Sequence, residues 1–138
     1  MKTKIKFASE SHSLAKSKKK IMSGNYPLYS FLNEEVLVKK NQFYVIPTGI
    51  TLELPKSVNA EVVCASYFES SVQTAFNTQK LDFGFVGKIE IVFLNQTEKA
   101  IKLKPNTFLG VLRFEAPINL VKVRKINLPT TKIFLAAN

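Results

Sequence analysis

The 138-residue chain predicts an all-β fold, a mostly antiparallel sandwich or jelly roll. Three observations predict it. From residue 36 onward apolar residues recur with period two, turn-forming residues interrupt them at short intervals, and no segment carries a sustained amphipathic helical pattern. Ile50, Leu52 and Leu54 share one face of a strand, as do Ile89, Ile91 and Phe93, and Ile101 and Leu103 alternate with Lys102 and Lys104. Turns are expected at Pro47-Thr48-Gly49, Leu54-Pro55-Lys56, Phe83-Gly84, Asn95-Gln96-Thr97 and Pro105-Asn106. Residues 118–128 add one or two strands between Pro117 and Pro129, and Ser9 to Ser17 reads as polar loop.

Several strands are apolar on both faces. Val92 and Leu94 oppose the Ile89, Ile91 and Phe93 face, while Leu109 and Val111 oppose Phe108, Leu112 and Phe114. A small two-sheet domain buries one face of each sheet, so the second faces call for cover by neighbouring subunits. The eleven phenylalanines are read as core and subunit-contact residues.

The length allows one hydrophobic core and therefore one domain. We divide the chain into a basic N-terminal arm over 1–21, a β domain over 22–128 and a C-terminal tail over 129–138. Residues 1–21 hold seven lysines against one glutamate, six of the ten net positive charges. Within them Lys16, Lys18, Lys19 and Lys20 form a run that could meet nucleic acid or an acidic partner, or simply remain a solvated arm. The single cysteine, Cys64, cannot close an intrachain disulfide and lies in an apolar stretch, which reads as a small core residue. No Cys/His spacing suits a metal, so neither metal nor cofactor is expected. The first twenty residues lack the apolar stretch of a signal peptide, and no apolar run is long enough to cross a membrane as a helix. A cytoplasmic location is expected, with the virion as the alternative for a viral protein.

Val45-Ile46-Pro47-Thr48-Gly49-Ile50-Thr51-Leu52-Glu53-Leu54-Pro55 resembles the segment of dUTPases in which a strand meets a Pro-Thr-Gly turn and returns through a second strand to a proline. Leu81-Asp82-Phe83-Gly84-Phe85-Val86-Gly87-Lys88-Ile89, followed by Asn95, is similar to the hairpin shared by dUTPases and dCTP deaminases. Residues 101–115 are similar to the next family segment, and their Gly-x-Leu-x-Phe-Glu ending leans toward the deaminase branch. Ser23 to Tyr29 is a weaker echo of the first family motif. The resemblance covers about residues 22 to 115 and implies the dUTPase-like fold, a distorted jelly roll or β-clip, assembled as a homotrimer. Gly84 falls in the Asp-x-Gly turn, where a positive φ is needed.

The resemblance also implies a site. In the family the hairpin aspartate orients or activates a water, the aromatic three residues later packs under the deoxyribose, and an Arg-Ser pair grips phosphate oxygens. Asp82, the only aspartate of the chain, matches the first and Phe85 the second. Of the pair only Ser66 remains, because Ala65 stands at the arginine and Tyr67 at the following glycine. Pro27 replaces the first-motif aspartate of dUTPases, and Val92 the catalytic glutamate of deaminases. Asp82 also has a plainer reading, since aspartates in tight hairpins often bond their own turn backbone. With Asp82, Phe85 and Ser66 read as vestiges, the expectation is a catalytically inactive, trimeric structural or protein-interaction module, of the kind viruses and phages build on this fold. The alternatives are a divergent dUTP or dCTP hydrolase or deaminase using Asp82, or a nucleotide sensor without turnover.

Overall fold

The computed structural model describes residues 3–10, 25–64 and 78–129. Among them are ten strands and no helix: β1 Thr3–Ser9, β2 Asn25–Tyr29, β3 Val36–Val38, β4 Phe43–Glu53, β5 Ala60–Cys64, β6 Thr78–Leu81, β7 Val86–Leu94, β8 Ile101–Leu103, β9 Phe108–Arg113 and β10 Ile118–Lys122. One sheet has the order β10-β1-β4-β7, a second β2-β9-β5-β6, and β3 pairs with β8. Every pairing is antiparallel except that of β1 with β10.

Alternation decides which side chains meet between the sheets. On β4 Ile50 and Leu52 turn inward, and on β7 Ile89, Ile91 and Phe93 do so, as the periodicity predicts, and Ile46, on the other side of the bulge, is buried with them. They share one core with Val62 of β5 and with Leu109 and Leu112 of β9. Each such side chain contributes about 1.5–3 kcal/mol on burial, which outweighs any single polar contact at the surface. Leu28 and Leu120 close the same core from β2 and β10.

Two sequence expectations change here. The segment assigned to a basic arm contains β1, whose Ile5 and Phe7 are fully buried and whose backbone pairs with both β10 and β4. Lys4 and Lys6 hide this strand in a charge count, yet they sit at alternate positions and leave the inward face apolar. The lysine run at 16 and 18–20 lies outside the described residues. The expected turn at Pro47-Thr48-Gly49 is instead a bulge inside one eleven-residue strand, with the β4–β7 register shifting between Pro47 and Ile50. Thr48 is buried there because its hydroxyl donates to the Ile89 carbonyl at 2.6 Å and accepts from the Ile50 N–H at 3.3 Å.

The turn after β7 is organised by Asn95, which is fully buried. Its amide nitrogen donates to the carbonyls of Val38 and Lys99 at 2.9 Å, and its side-chain oxygen accepts from the N–H and hydroxyl of Thr97. A buried amide with both ends satisfied fixes the β3–β8 pair against the end of β7. Gly110 has another structural duty: it runs so close to β5 that an added Cβ would collide with the backbone of Val63 and Cys64. Cys64 itself is half-buried and packs against the core.

Candidate active site

The β6–β7 connection, expected as a hairpin, instead crosses from the second sheet to the first, since its two strands do not pair, and it is where the described residues bring together positions that the sequence singled out. Leu81, the last residue of β6, is buried and anchors one arm, while Ile89 anchors the other. Between them the Phe85 N–H donates to the Asp82 carbonyl at 3.0 Å and closes the turn. Gly84 has φ of 75°, the left-handed conformation that its turn requires and that a side chain would strain. Its N–H donates to the Pro55 carbonyl at 3.1 Å, and the Leu54 N–H donates to the Phe85 carbonyl at 2.8 Å. The connection is thereby fastened to the turn that follows β4.

Every one of these bonds is made by main-chain atoms. The Asp82 side chain is exposed, and among the described residues no donor is bonded to its carboxylate. The plainer reading of Asp82, a side chain that holds its own turn, therefore has no bond to support it among these residues.

Phe85 is half-buried and packs on the core. Its ring lies back across Gly87, with Cζ only 2.9 Å from the point where a Cβ would stand, so a glycine two residues on gives the ring its place. Phe83, which the sequence reading did not single out, is 63% exposed at the turn beside Asp82. An acid and two aromatic rings thus share one short turn. Ser66 lies outside the described residues, as do Ala65 and Tyr67, so the expected phosphate-gripping position cannot be joined to this group.

The cations nearest in sequence, Lys80 and Lys88, are each opposed by acid. Lys80 is the cross-strand partner of Glu61, which also pairs with Arg113. Lys88 lies in a cleft of about 80 Å³ that Glu10, Glu90 and Thr51 also line. That cleft contains neither Asp82 nor its turn, and two carboxylates make it a poor seat for an anion. Lys56, by contrast, lies against Gly84, its Cγ 3.6 Å from where a Cβ would be. The sequence gives no signal for this neighbour, because β5 and β6 intervene between the two turns. Elsewhere, burial of Tyr26, which packs edge-on against Phe114, raises its hydroxyl above the usual tyrosine range, far from any role at the Asp82 turn.

A two-sheet β domain carrying an exposed acid on a turn that crosses between its sheets is the class of protein these features define. The chain is 31% identical over 78 residues to a deoxyuridine 5'-triphosphate nucleotidohydrolase of Thermoanaerobacter sp. (strain X514), an alignment covering 55% of this chain and 53% of that protein. The chain thus spans about half the length of the curated relative it matches. Among solved structures, a mutant dUTPase of Staphylococcus bacteriophage 80alpha with dUpNHpp superposes with a TM-score of 0.63 at 14% identity, over 90% of this chain and 91% of that one. A mutant dUTPase of Staphylococcus aureus phage phi11, described with a structural Mg(II) ion, gives a TM-score of 0.63 at 14% identity over 92% and 99%. No family model matches. The chain has the dUTPase-like fold.

These findings correct one expectation. The inactive structural module rested on missing motif residues, but the named relatives are dUTP hydrolases, and the alternative that keeps Asp82 at work agrees with them better. Among the described residues no three His, Cys, Asp or Glu side chains are grouped to hold a metal. No helix among these residues is long and apolar enough to cross a membrane.

Proposed function

We propose that this chain is a divergent dUTP hydrolase in which Asp82 activates the attacking water. The observation that carries the reading is the Asp82 carboxylate, exposed and unbonded among the described residues on a turn held by main-chain hydrogen bonds. A base must keep its lone pairs for the proton it removes, and a fixed turn keeps it at a constant distance from the reacting phosphorus. Asp82 takes the proton of the water as the new P–O bond forms, and the phosphoanhydride P–O bond breaks with its electron pair leaving on the departing phosphate. Phe85, its ring set by Gly87, offers an apolar floor for the deoxyribose, as the family resemblance implies. Hydrolysis is preferred to deamination because the deaminase glutamate position is Val92, an apolar residue paired with Val45. The test is loss of dUTP with magnesium, followed by ion-exchange chromatography, with dCTP and dTTP as controls. Selective loss of dUTP is expected; stable dUTP at high protein concentration would overturn the reading, and tight binding of dUpNHpp without turnover would replace it by a sensor.

The reading extends to a homotrimer. Asp82 stands on an open surface and needs walls that these residues do not supply. On the outer face of β4 and β7, Phe43 (65% exposed) and Val45 (49%) stand opposite Leu94 and Val92. Leu37 on β3 adds a further exposed apolar side chain. An apolar face of this kind is covered at least cost by a closed ring of identical copies. Replacing Phe43 and Val45 together by glutamate is expected to yield a smaller species by light scattering. A wild-type protein that is a stable monomer at micromolar concentration would defeat the trimer. Cytoplasmic location follows from the intracellular pool of nucleoside triphosphates, and a phage source agrees with the phage dUTPases of the same fold.

A further inference from the structure

We infer that Lys56 is the cation that holds the phosphate chain of the substrate at the Asp82 turn, an inference that rests on the hydrolase reading above. A nucleoside triphosphate brings several negative charges to a site whose one described acid repels them, so a cation has to stand close to Asp82 without being neutralised. Lys80 and Lys88 each stand beside acids that compete for their charge, although neither is in an ion pair among the described residues. The first faces Glu61 across the β5–β6 pair, and the second shares its cleft with Glu10 and Glu90.

Lys56 meets the requirement. The Gly84 N–H bonds to the carbonyl of Pro55 at 3.1 Å, and the Val58 N–H bonds to the same carbonyl, so the 55–58 turn is a fixed shelf under the Asp82 turn. With no side chain on Gly84, the stem of Lys56 lies on its open face, Cγ at 3.6 Å and Cα at 3.8 Å from the vacant Cβ position. The stem is thereby packed while the residue as a whole is exposed. Among the described residues no carboxylate pairs with it. Gly84 therefore does two things: it makes the left-handed turn, and it leaves room for the stem of Lys56 two residues from Asp82.

Two substitutions separate charge from packing. Lys56→Met keeps the stem on Gly84 and removes the charge, whereas Lys56→Arg keeps the charge. Calorimetry with dUpNHpp is expected to show binding about tenfold weaker for Lys56→Met, with a shallower dependence on salt, and binding within about threefold of wild type for Lys56→Arg. Deoxyuridine, which has no phosphate, should bind all three proteins alike. Unchanged dUpNHpp affinity in Lys56→Met, or equal weakening of deoxyuridine, would overturn the assignment while leaving the hydrolase reading intact. A wild-type protein that neither binds dUpNHpp nor consumes dUTP would remove both.

Discussion

Deleting residues 3–9 is expected to abolish cooperative folding. The strand they form lies between β10 and β4, and among the described residues β10 has no other partner in its sheet. Its loss removes Ile5 and Phe7 from the core and releases Ile118 and Leu120, the buried side chains of β10. The gentler change, Phe7→Ala, should already cost about 3–5 kcal/mol, because a fully buried ring leaves a cavity that the paired strands cannot collapse. A domain of this kind has about 5–15 kcal/mol in hand, so the single substitution consumes a large share and the deletion exceeds it. The Phe7 carbonyl also accepts the Val123 N–H at 2.8 Å, so the alanine variant should keep that link while the deletion loses it. Lys4→Ala and Lys6→Ala serve as controls: both side chains point outward, and the Lys6–Glu53 pair, at 4.0 Å and well exposed, is expected to matter by less than about 1 kcal/mol. Thermal melts followed by circular dichroism measure the series. A deletion variant that melts as sharply as wild type would show that the strand is dispensable.

The same strand marks where the sequence is hard to read. Four alternating positions, Lys4, Ile5, Lys6 and Phe7, carry the pattern of a half-buried strand, but a segment rich in lysine reads first as solvated arm. Where charge is sparse the alternation is plain, as in Ile89, Ile91 and Phe93, and the two-sheet core follows from it. The bulge at Thr48 was not legible for a different reason. Proline, threonine and glycine together signal a chain reversal, whereas pairing with β7 on both sides of the bulge and the bond from the Thr48 hydroxyl to Ile89, forty-one residues away, keep the strand continuous. The candidate site divides in the same way. Asp82, Gly84 and Phe85 are adjacent in sequence, and the turn chemistry announces them; Lys56 joins them only through contacts between distant turns, which no local pattern records.

Asp82→Asn is expected to lower kcat for dUTP by about 10²–10⁴-fold with little change in KM. Asparagine has the shape of aspartate and preserves the main-chain bonds of the turn, since the Phe85 N–H bonds to the residue 82 carbonyl and not to its side chain. The melting temperature should therefore stay close to that of wild type, which separates a lost base from a damaged turn. Asp82→Glu is a useful companion: it restores a carboxylate but moves it by one methylene, and a base that must meet a water in line with the breaking bond should recover only part of the rate. Gly84→Ala makes the opposite comparison, leaving the acid in place but straining the turn through its φ of 75°, so it should reduce stability and turnover together. Pyrophosphate or phosphate release under saturating dUTP, with melts on the same preparations, reads all three. Wild-type turnover in Asp82→Asn would mean that another group takes the proton, and the open carboxylate at the turn would then have to be a binding contact only.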